Sequence, residues 1–374
     1  MKILINAFSA RQGGGQTYLI NLLQAVPPER RADIGLLLPD GFALPGNCAG
    51  FVRLPTPRRM ENPFLRAAWE RIALPRLLRR LDVRVLFCPG GVVGTRPPSG
   101  CRVVTMFRNM IPFDREQRRR YPLGYMRVRN WLLERVMLRS MLRADLVIFI
   151  SEFARQVIES AAGRPLAHAV VIPHGVNEAF RRRSIIPPRP AWLPREEYFL
   201  YVSTLDVYKA QVQVVQGFAK YRALVGNRHK LVLIGPENPR YGRRVRAEIA
   251  RLGLQHDVIV LGKVPYDELP AAYQHAYLNI FASESENCPN ILLECLAAGR
   301  PIVCSSRPPM PEFAKDAVEY FDPACPDELG ALLARLARTP ERCEQLAQRA
   351  LRRGQDFDWS SSARKTWAAI HALV

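Results

Sequence analysis

No apolar run in this 374-residue chain approaches the roughly 18 residues that a membrane-spanning helix needs. The first residues, MKILINAF, pass straight into a strand pattern, without the longer apolar stretch and small-residue cleavage site of a signal peptide. Eight cysteines are present (Cys48, Cys88, Cys101, Cys288, Cys295, Cys304, Cys325 and Cys343), but none forms a C-x-x-C pair or a Cys/His metal spacing. Several fall inside apolar strand or helix patterns, where a free thiol acts as a small hydrophobe. The expectation is a reducing, cytosolic setting with no disulfides and no structural zinc. No short-period repeat is present, which excludes a solenoid. Lysine is scarce, at 7 residues against 47 arginines.

What is present describes a globular protein. Hydrophobic residues make up 48% and charged residues 24%, and the length exceeds one ordinary core, so two domains are expected. The net charge of +20 is uneven. Residues 1–178 carry 27 basic against 13 acidic residues, and the window 53–143 alone carries 21 arginines against six acids. Clustered positive charge points to an anionic partner: a membrane surface, a lipid phosphate or a nucleic acid.

Apolar strand runs alternate with helix-period segments throughout, which predicts parallel sheets with crossover helices. Strands are expected at 2–7, 33–38, 83–88, 102–107, 145–150 and 169–172, then at 198–203, 230–235, 257–261, 277–282 and 301–304. Helices are expected near 16–25, 64–81, 122–143, 152–161, 210–225, 240–253, 267–276, 290–298, 326–336, 339–353 and 358–373. The Pro- and Arg-rich run 181–195 reads as a linker. The expected organisation is α/β: a domain over 1–178, a linker over 179–195, a second domain over 196–355, and a last helix at 356–374 crossing back to the first. Two such doubly wound domains enclose a cleft, with ligands at the carboxyl ends of the strands.

The densest information lies in Ser283–Pro301, SESENCPNILLECLAAGRP. Glu286 and Glu294 stand eight positions apart, with a helix start at Cys288-Pro289-Asn290 between them and a helix stop at Gly299. A helix over 290–298 presents unpaired N–H groups and partial positive charge at its start, which favours an anion such as pyrophosphate. One carboxylate on the loop and one inside the helix can accept hydrogen bonds from sugar hydroxyls. The arrangement fits a nucleotide-sugar site.

This segment resembles the signature of glycosyltransferase family 4, retaining enzymes of the GT-B fold with two Rossmann-like domains. The signature is Glu, seven residues, Glu, then a small-residue helix ending in Gly-x-Pro-Val. Both glutamates, Ala297-Ala298, Gly299, Pro301 and the following strand fall in register. The resemblance covers nearly the whole chain and is strongest over 198–323. It implies that Glu286 orients the donor sugar, that Glu294 binds the ribose hydroxyls, and that Asn287, Cys288, Asn290 and Ile291 contact the donor. Lys209 falls where family relatives carry a diphosphate-binding Lys, but Thr204 stands where they carry an Arg. Gly13, Gly14 and Gly15 match a glycine loop that faces the donor phosphates, and the same residues can form a plain tight turn. Gly235 and Val264 match strand-end loops that frame the nucleoside, as ordinary turns also would. No His follows the strand 102–107 where many relatives have one, so Arg108 or Asn109 is the candidate substitute. Asp114 suits a turn or a cap. Ser151 and His174 match segments at the end of the first domain, Ser151 also suiting a helix cap and His174 a structural role. Glu312 is the candidate for support near the donor sugar.

Asp356-Phe357-Asp358 has the D-x-D form of a metal signature but precedes the last helix, so Asp358 reads as a cap and no metal is expected. The segments 64–81 (Trp69, Ile72, Leu77, Leu78, Leu81) and 122–143 (Met126, Trp131, Leu132, Val136, Met141) pair apolar stripes with arginines. Each can pack its stripe on the sheet or lie on an anionic membrane.

The expected activity is transfer of a sugar from a UDP- or GDP-sugar to an acceptor hydroxyl with retained anomeric configuration. A lipid-linked or lipopolysaccharide intermediate at the inner leaflet is the expected acceptor. The alternatives are a sugar-nucleotide epimerase or a phosphorylase on the same fold, and a basic nucleic-acid-binding protein. No recognised nucleic-acid motif supports the last.

Overall fold

Parallel pairing dominates both halves of the chain. A computed structural model describes residues 1–11, 13–57, 59–120, 124–181 and 186–374. It divides the chain into two units, Met1–Gly175 together with Trp359–Val374, and Val176–Asp358.

The first unit is built on β1 (Ile3–Asn6), β2 (Ile34–Leu37), β3 (Val52–Arg53), β4 (Val85–Cys88), β5 (Arg102–Phe107), β6 (Leu146–Phe149) and β7 (Ala169–Val171). Among the described residues these form one parallel sheet in the order β3-β2-β1-β4-β5-β6-β7. Strands β1, β2, β4 and β6 are buried at every position, as expected for a sheet covered by helices on both faces. The last helix, Trp359–His371, belongs to this unit. Trp367 Nε1 donates to Leu22 O at 2.9 Å, and Ser362 Oγ donates to Pro173 O at 2.8 Å.

The second unit holds β8 (Tyr198–Val202), β9 (Lys230–Ile234), β10 (Val258–Gly262), β11 (Leu278–Phe281), β12 (Ile302–Ser305) and β13 (Glu319–Phe321). They form a parallel sheet in the order β10-β9-β8-β11-β12-β13. The order reverses between β8 and β11, the topological switch point where doubly wound sheets bind ligands. β3 and β13 were not expected from the sequence. Both are short and lie at sheet edges, where little apolar pattern is required.

Three sequence expectations need correction. The helix expected over 64–81 is two helices, Pro63–Ile72 and Leu74–Arg80. Pro75 lies at the start of the second and cannot donate to the turn before it. The expected stripes also fail in part. Leu78 is buried and Trp69 packs edge-on against Phe8, but Ile72 is exposed. The helix Tyr125–Arg143 buries Asn130, Met137, Ser140 and Met141 and exposes Met126, Trp131 and Leu132. Its expected first residues, 122 and 123, lie outside the described residues. Last, the run 179–195 is not a separate linker where it is described. Phe180 is fully buried in the second unit, His275 bonds Pro187 O at 2.8 Å, and Trp192 Nε1 donates to Glu268. The apolar residues scattered through the run bury against the unit despite its prolines. Residues 182–185 of the run lie outside the described residues.

Candidate functional site

The loops leaving β8 and β11 flank the switch point of the second sheet, and each carries one half of a buried ion pair. After β8, Asp206 caps a single 3₁₀ turn, Val207–Lys209, by accepting from Val207 N at 2.7 Å. Ala210 then takes a left-handed conformation (φ 54°), and the helix Gln211–Val225 begins. This turn points Lys209 inward. Tyr201 Oη donates to Lys209 O at 2.7 Å, and the ammonium lies 4.9 Å from the Tyr208 ring centroid. Lys209 Nζ donates to Glu286 Oε1, and the two side chains are 8% and 16% exposed. The backbone also ties the loops, through Glu284 N donating to Tyr208 O at 2.8 Å.

The helix after that loop spans Asn290–Ala298, as the sequence predicts, with Pro289 at its amino cap and Gly299 left-handed at its end (φ 61°). Every residue from Leu292 to Ala298 is buried. The small Ala297 admits a second helix, Pro340–Gly354, so closely that a Cβ on Gly354 would sit 2.8 Å from Ala297 N. This packing fixes the rotation of the shorter helix and therefore the aim of Glu294. The Glu294 carboxyl is buried and accepts from Tyr266 Oη and Tyr273 Oη, each at 3.0 Å. Burial pushes it up to about 7, and the Tyr273 and Tyr266 hydroxyls pull the other way. The Phe180 ring packs tilted against Tyr266 and edge-on against Tyr273, at 5.1 and 5.6 Å between ring centroids.

Lys209, Glu286 and the start of helix Asn290–Ala298 thus come together at the switch point, with Glu294 on that helix. A lysine beside a helix amino terminus suits a diphosphate. Two carboxylates suit sugar hydroxyls. Asn287 and Cys288 are buried in the loop, while Asn290 and Ile291 are half-buried at the helix start. Thr204 is exposed, and its carbonyl accepts from Gln211 Nε2 at 2.9 Å. Gly235 has a clear packing reason: at φ 144°, an added Cβ would meet Ser203 O at 2.2 Å. Val264 is half-buried after β10. Glu312 lies on the five-residue helix Met310–Ala314, and its carbonyl accepts from Arg353 Nη2 at 3.1 Å.

In the first unit, Gly13 caps the helix Gly14–Gln24 at φ 59°, and a Cβ on Gly15 would lie 3.6 Å from Arg108 Nη1. Arg108 sits over Tyr18 at 5.3 Å, Tyr18 lies 5.4 Å from His174, and His174 lies 5.2 Å from Trp359. A helix start and a guanidinium therefore share one corner. Asn109 turns its side-chain oxygen to Ile111 N at 3.3 Å, and Asp114 caps the next helix by accepting from Gln117 N at 3.0 Å. Ser151 is the buried cap of helix Glu152–Ala162, accepting from Ala154 N at 3.1 Å. Asp356 accepts from Arg353 Nη1 at 2.6 Å, and Asp358 directly precedes the last helix.

Sequence reasoning missed Tyr266 and Tyr273 as partners of Glu294, and Tyr18 and Trp359 beside Arg108 and His174. These contacts join residues far apart in the chain, and no local spacing announces them. Among the described residues no group of three or more His, Cys, Asp or Glu is placed to hold a metal ion, and no helix is long and apolar enough to cross a membrane.

Comparison with known proteins shows the family and the fold. The family described as "Glycosyl transferases group 1" matches residues 183–353, and "Glycosyltransferase Family 4" matches residues 12–180. The chain is similar to O-antigen chain mannosyltransferase B of Escherichia coli, 24% identical over 64% of this chain and 64% of that protein's length. Its fold is similar to that of Anabaena HepE, solved in complex with UDP, at a TM-score of 0.74 and 16% identity over all of both chains. It is likewise similar to WaaG, a glycosyltransferase involved in lipopolysaccharide biosynthesis, at a TM-score of 0.74 and 13% identity over 99% of each chain. The chain belongs to glycosyltransferase family 4 and has the GT-B fold.

Proposed function

We propose that this chain transfers a sugar from a UDP- or GDP-sugar to an acceptor hydroxyl with retention of anomeric configuration, without a metal ion. The observation that carries the reading is the buried Lys209–Glu286 pair at the switch point, beside the helix that bears Glu294. Lys209 and the amino terminus of that helix would offset the negative charge that grows on the leaving diphosphate. Freed from Lys209 by the incoming phosphate, Glu286 would accept from donor-sugar hydroxyls and orient the ring. Glu294 would accept from the ribose hydroxyls, with Tyr266 yielding its place. The leaving phosphate itself would take the acceptor proton. Similarity to a protein solved with UDP supports a nucleotide-sugar donor.

For the acceptor we propose a glycan or lipid-linked intermediate, bound by the first unit at the cytoplasmic face of the membrane. Two features support this. One is the similarity to an O-antigen mannosyltransferase and to a lipopolysaccharide glycosyltransferase. The other is the exposure of Phe64, Ile72, Val128, Trp131 and Leu132 among the arginines of residues 53–143, a pattern suited to an anionic lipid surface.

The test is a thermal-shift titration with UDP, GDP, ADP and CMP on the protein and on Glu294→Gln. A ligand that binds only the folded state raises the melting temperature. A shift with UDP or GDP that the variant loses is expected, followed by NMR of the product anomer from the matching donor. No shift with any nucleotide, in protein shown to be folded, would overturn the reading.

A further inference from the structure

Away from the corner around Arg108, the first unit holds a cavity walled partly by the apolar Val93, Pro97, Val103 and Val136 and partly by arginines. Its volume is about 250 Å³, and its walls include Thr95, Arg96, Arg139, Ser140, Arg143 and Asp145. Asp145 directly precedes β6, and β5 enters the cavity through Val103, near its first residue. The cavity therefore lies at the amino edge of the sheet, whereas Arg108 follows the carboxyl end of β5.

The charges in this cavity are unbalanced. Asp145 is already used: it accepts from Arg102 Nη1 and from Val103 N, both at 2.8 Å. Ser140 is used as well, accepting from Val93 N at 3.0 Å and donating to Val136 O at 2.8 Å. Arg96, Arg139 and Arg143 have no ion-pair partner among the described residues. Arg139 and Arg143 stand one turn apart on the same helix, a like-charge spacing that works against helix stability. Thr95 is 8% exposed, and its hydroxyl has no hydrogen-bond partner among the described residues. A buried polar atom of this kind requires explanation. Arg96, Arg139 and Arg143, none with an ion-pair partner among the described residues, and the unpartnered Thr95 hydroxyl belong to residues that line one space, roomy enough for an oxyanion and the rest of the molecule that carries it.

We propose that this cavity binds a phosphoryl group, held by Arg96, Arg139 and Arg143 with Thr95 Oγ1 completing its hydrogen bonds. The proposal is independent of the donor-site reading. The group comes either from a soluble phosphate or from a phospholipid headgroup, because the same helix exposes Val128, Trp131 and Leu132 toward its other end.

The test is calorimetric titration of the full chain with inorganic pyrophosphate, with and without saturating UDP or GDP to fill the diphosphate position beside Lys209, in chloride buffer of matched ionic strength. The variants are Arg139→Ala/Arg143→Ala, both exposed and so expected to fold, and Thr95→Val, which removes only the hydroxyl. Binding should weaken roughly tenfold for each arginine removed and about fivefold for Thr95→Val. Flotation with phosphatidylglycerol and phosphatidylcholine vesicles identifies the source. Anionic-vesicle binding that pyrophosphate competes away and the arginine variant loses assigns a headgroup, and pyrophosphate binding without vesicle binding assigns a soluble phosphate. No pyrophosphate binding beyond that blocked by the nucleotide, or such binding left unchanged in the arginine variant, overturns the site.

Discussion

Glu294 should make the stability of this protein fall as the pH rises through neutrality. Its carboxyl is raised from an ordinary 4.5 to about 7, chiefly by burial. The folded state therefore holds a proton that the unfolded chain releases near pH 4.5. The stabilisation is fully present below pH 4.5, declines above it, and is gone once the pH has passed about 7. At about 1.36 kcal/mol per pH unit, ionising the buried group costs roughly 3 kcal/mol. Glu294→Gln keeps the size and the Tyr266 and Tyr273 hydroxyls as partners but cannot ionise. Melting temperatures of both proteins at pH 5 and pH 8 provide the assay, because all other titrating groups cancel in the double difference. About 2.5 kcal/mol of that stabilisation is lost between pH 5 and pH 8, so at about 2–4 °C per kcal/mol for units of this size the variant should gain roughly 5–10 °C on the parent between the two pH values. Parallel pH profiles, within about a degree, would show that the carboxyl is not held protonated, and the reasoning from burial would fail.

Further outcomes follow from the same geometry. Lys209→Ala should destabilise by about 3 kcal/mol in denaturant unfolding because it leaves Glu286 buried and unpaired, and adding Glu286→Gln should recover part of that loss. An unchanged midpoint in the single variant would mean the pair is not buried in solution. Gly235→Ala should cost about 2 kcal/mol or more, since its Cβ would strike Ser203 O, whereas Gly46→Ala, with open space around it, should shift the midpoint by less than about 0.5 kcal/mol. Trp131→Ser/Leu132→Ser removes exposed side chains, so stability should hold within about 0.5 kcal/mol while binding to anionic vesicles falls. Unchanged vesicle binding would remove that helix from the acceptor-side proposal.

The second sheet was legible because each of its buried strands is a short apolar run bounded by a turn, and only edge strand β13 escaped. The helix bearing Glu294 was legible down to its ends because Pro289 and Gly299 act through local backbone geometry. Amphipathic helices were less readable. Over 125–143 the sequence offers apolar residues on more than one face, and the face that packs is chosen by the sheet beneath it. Thus Asn130 and Ser140 lie inside and Trp131 outside, which no hydrophobic count anticipates. The site divided the same way. Glu286 and Lys209 were visible as residues at strand ends, but their pairing was not, because it joins loops 77 positions apart. Glu294 was visible, yet its two tyrosine partners depend on how one helix lies across another.

The close seat of Gly354 on Ala297 has a consequence for how a mutational map of this protein would read. The backbone-to-backbone contact leaves no room for a side chain, so any substitution at Gly354 must push the helix carrying Glu294 off its bearing. Its phenotype would mimic damage to a ligand contact, although Gly354 lies far along the chain from both glutamates. A screen scored by activity alone would rank this glycine among the residues that touch the donor, and only a ligand-free stability measurement would sort it with the scaffold.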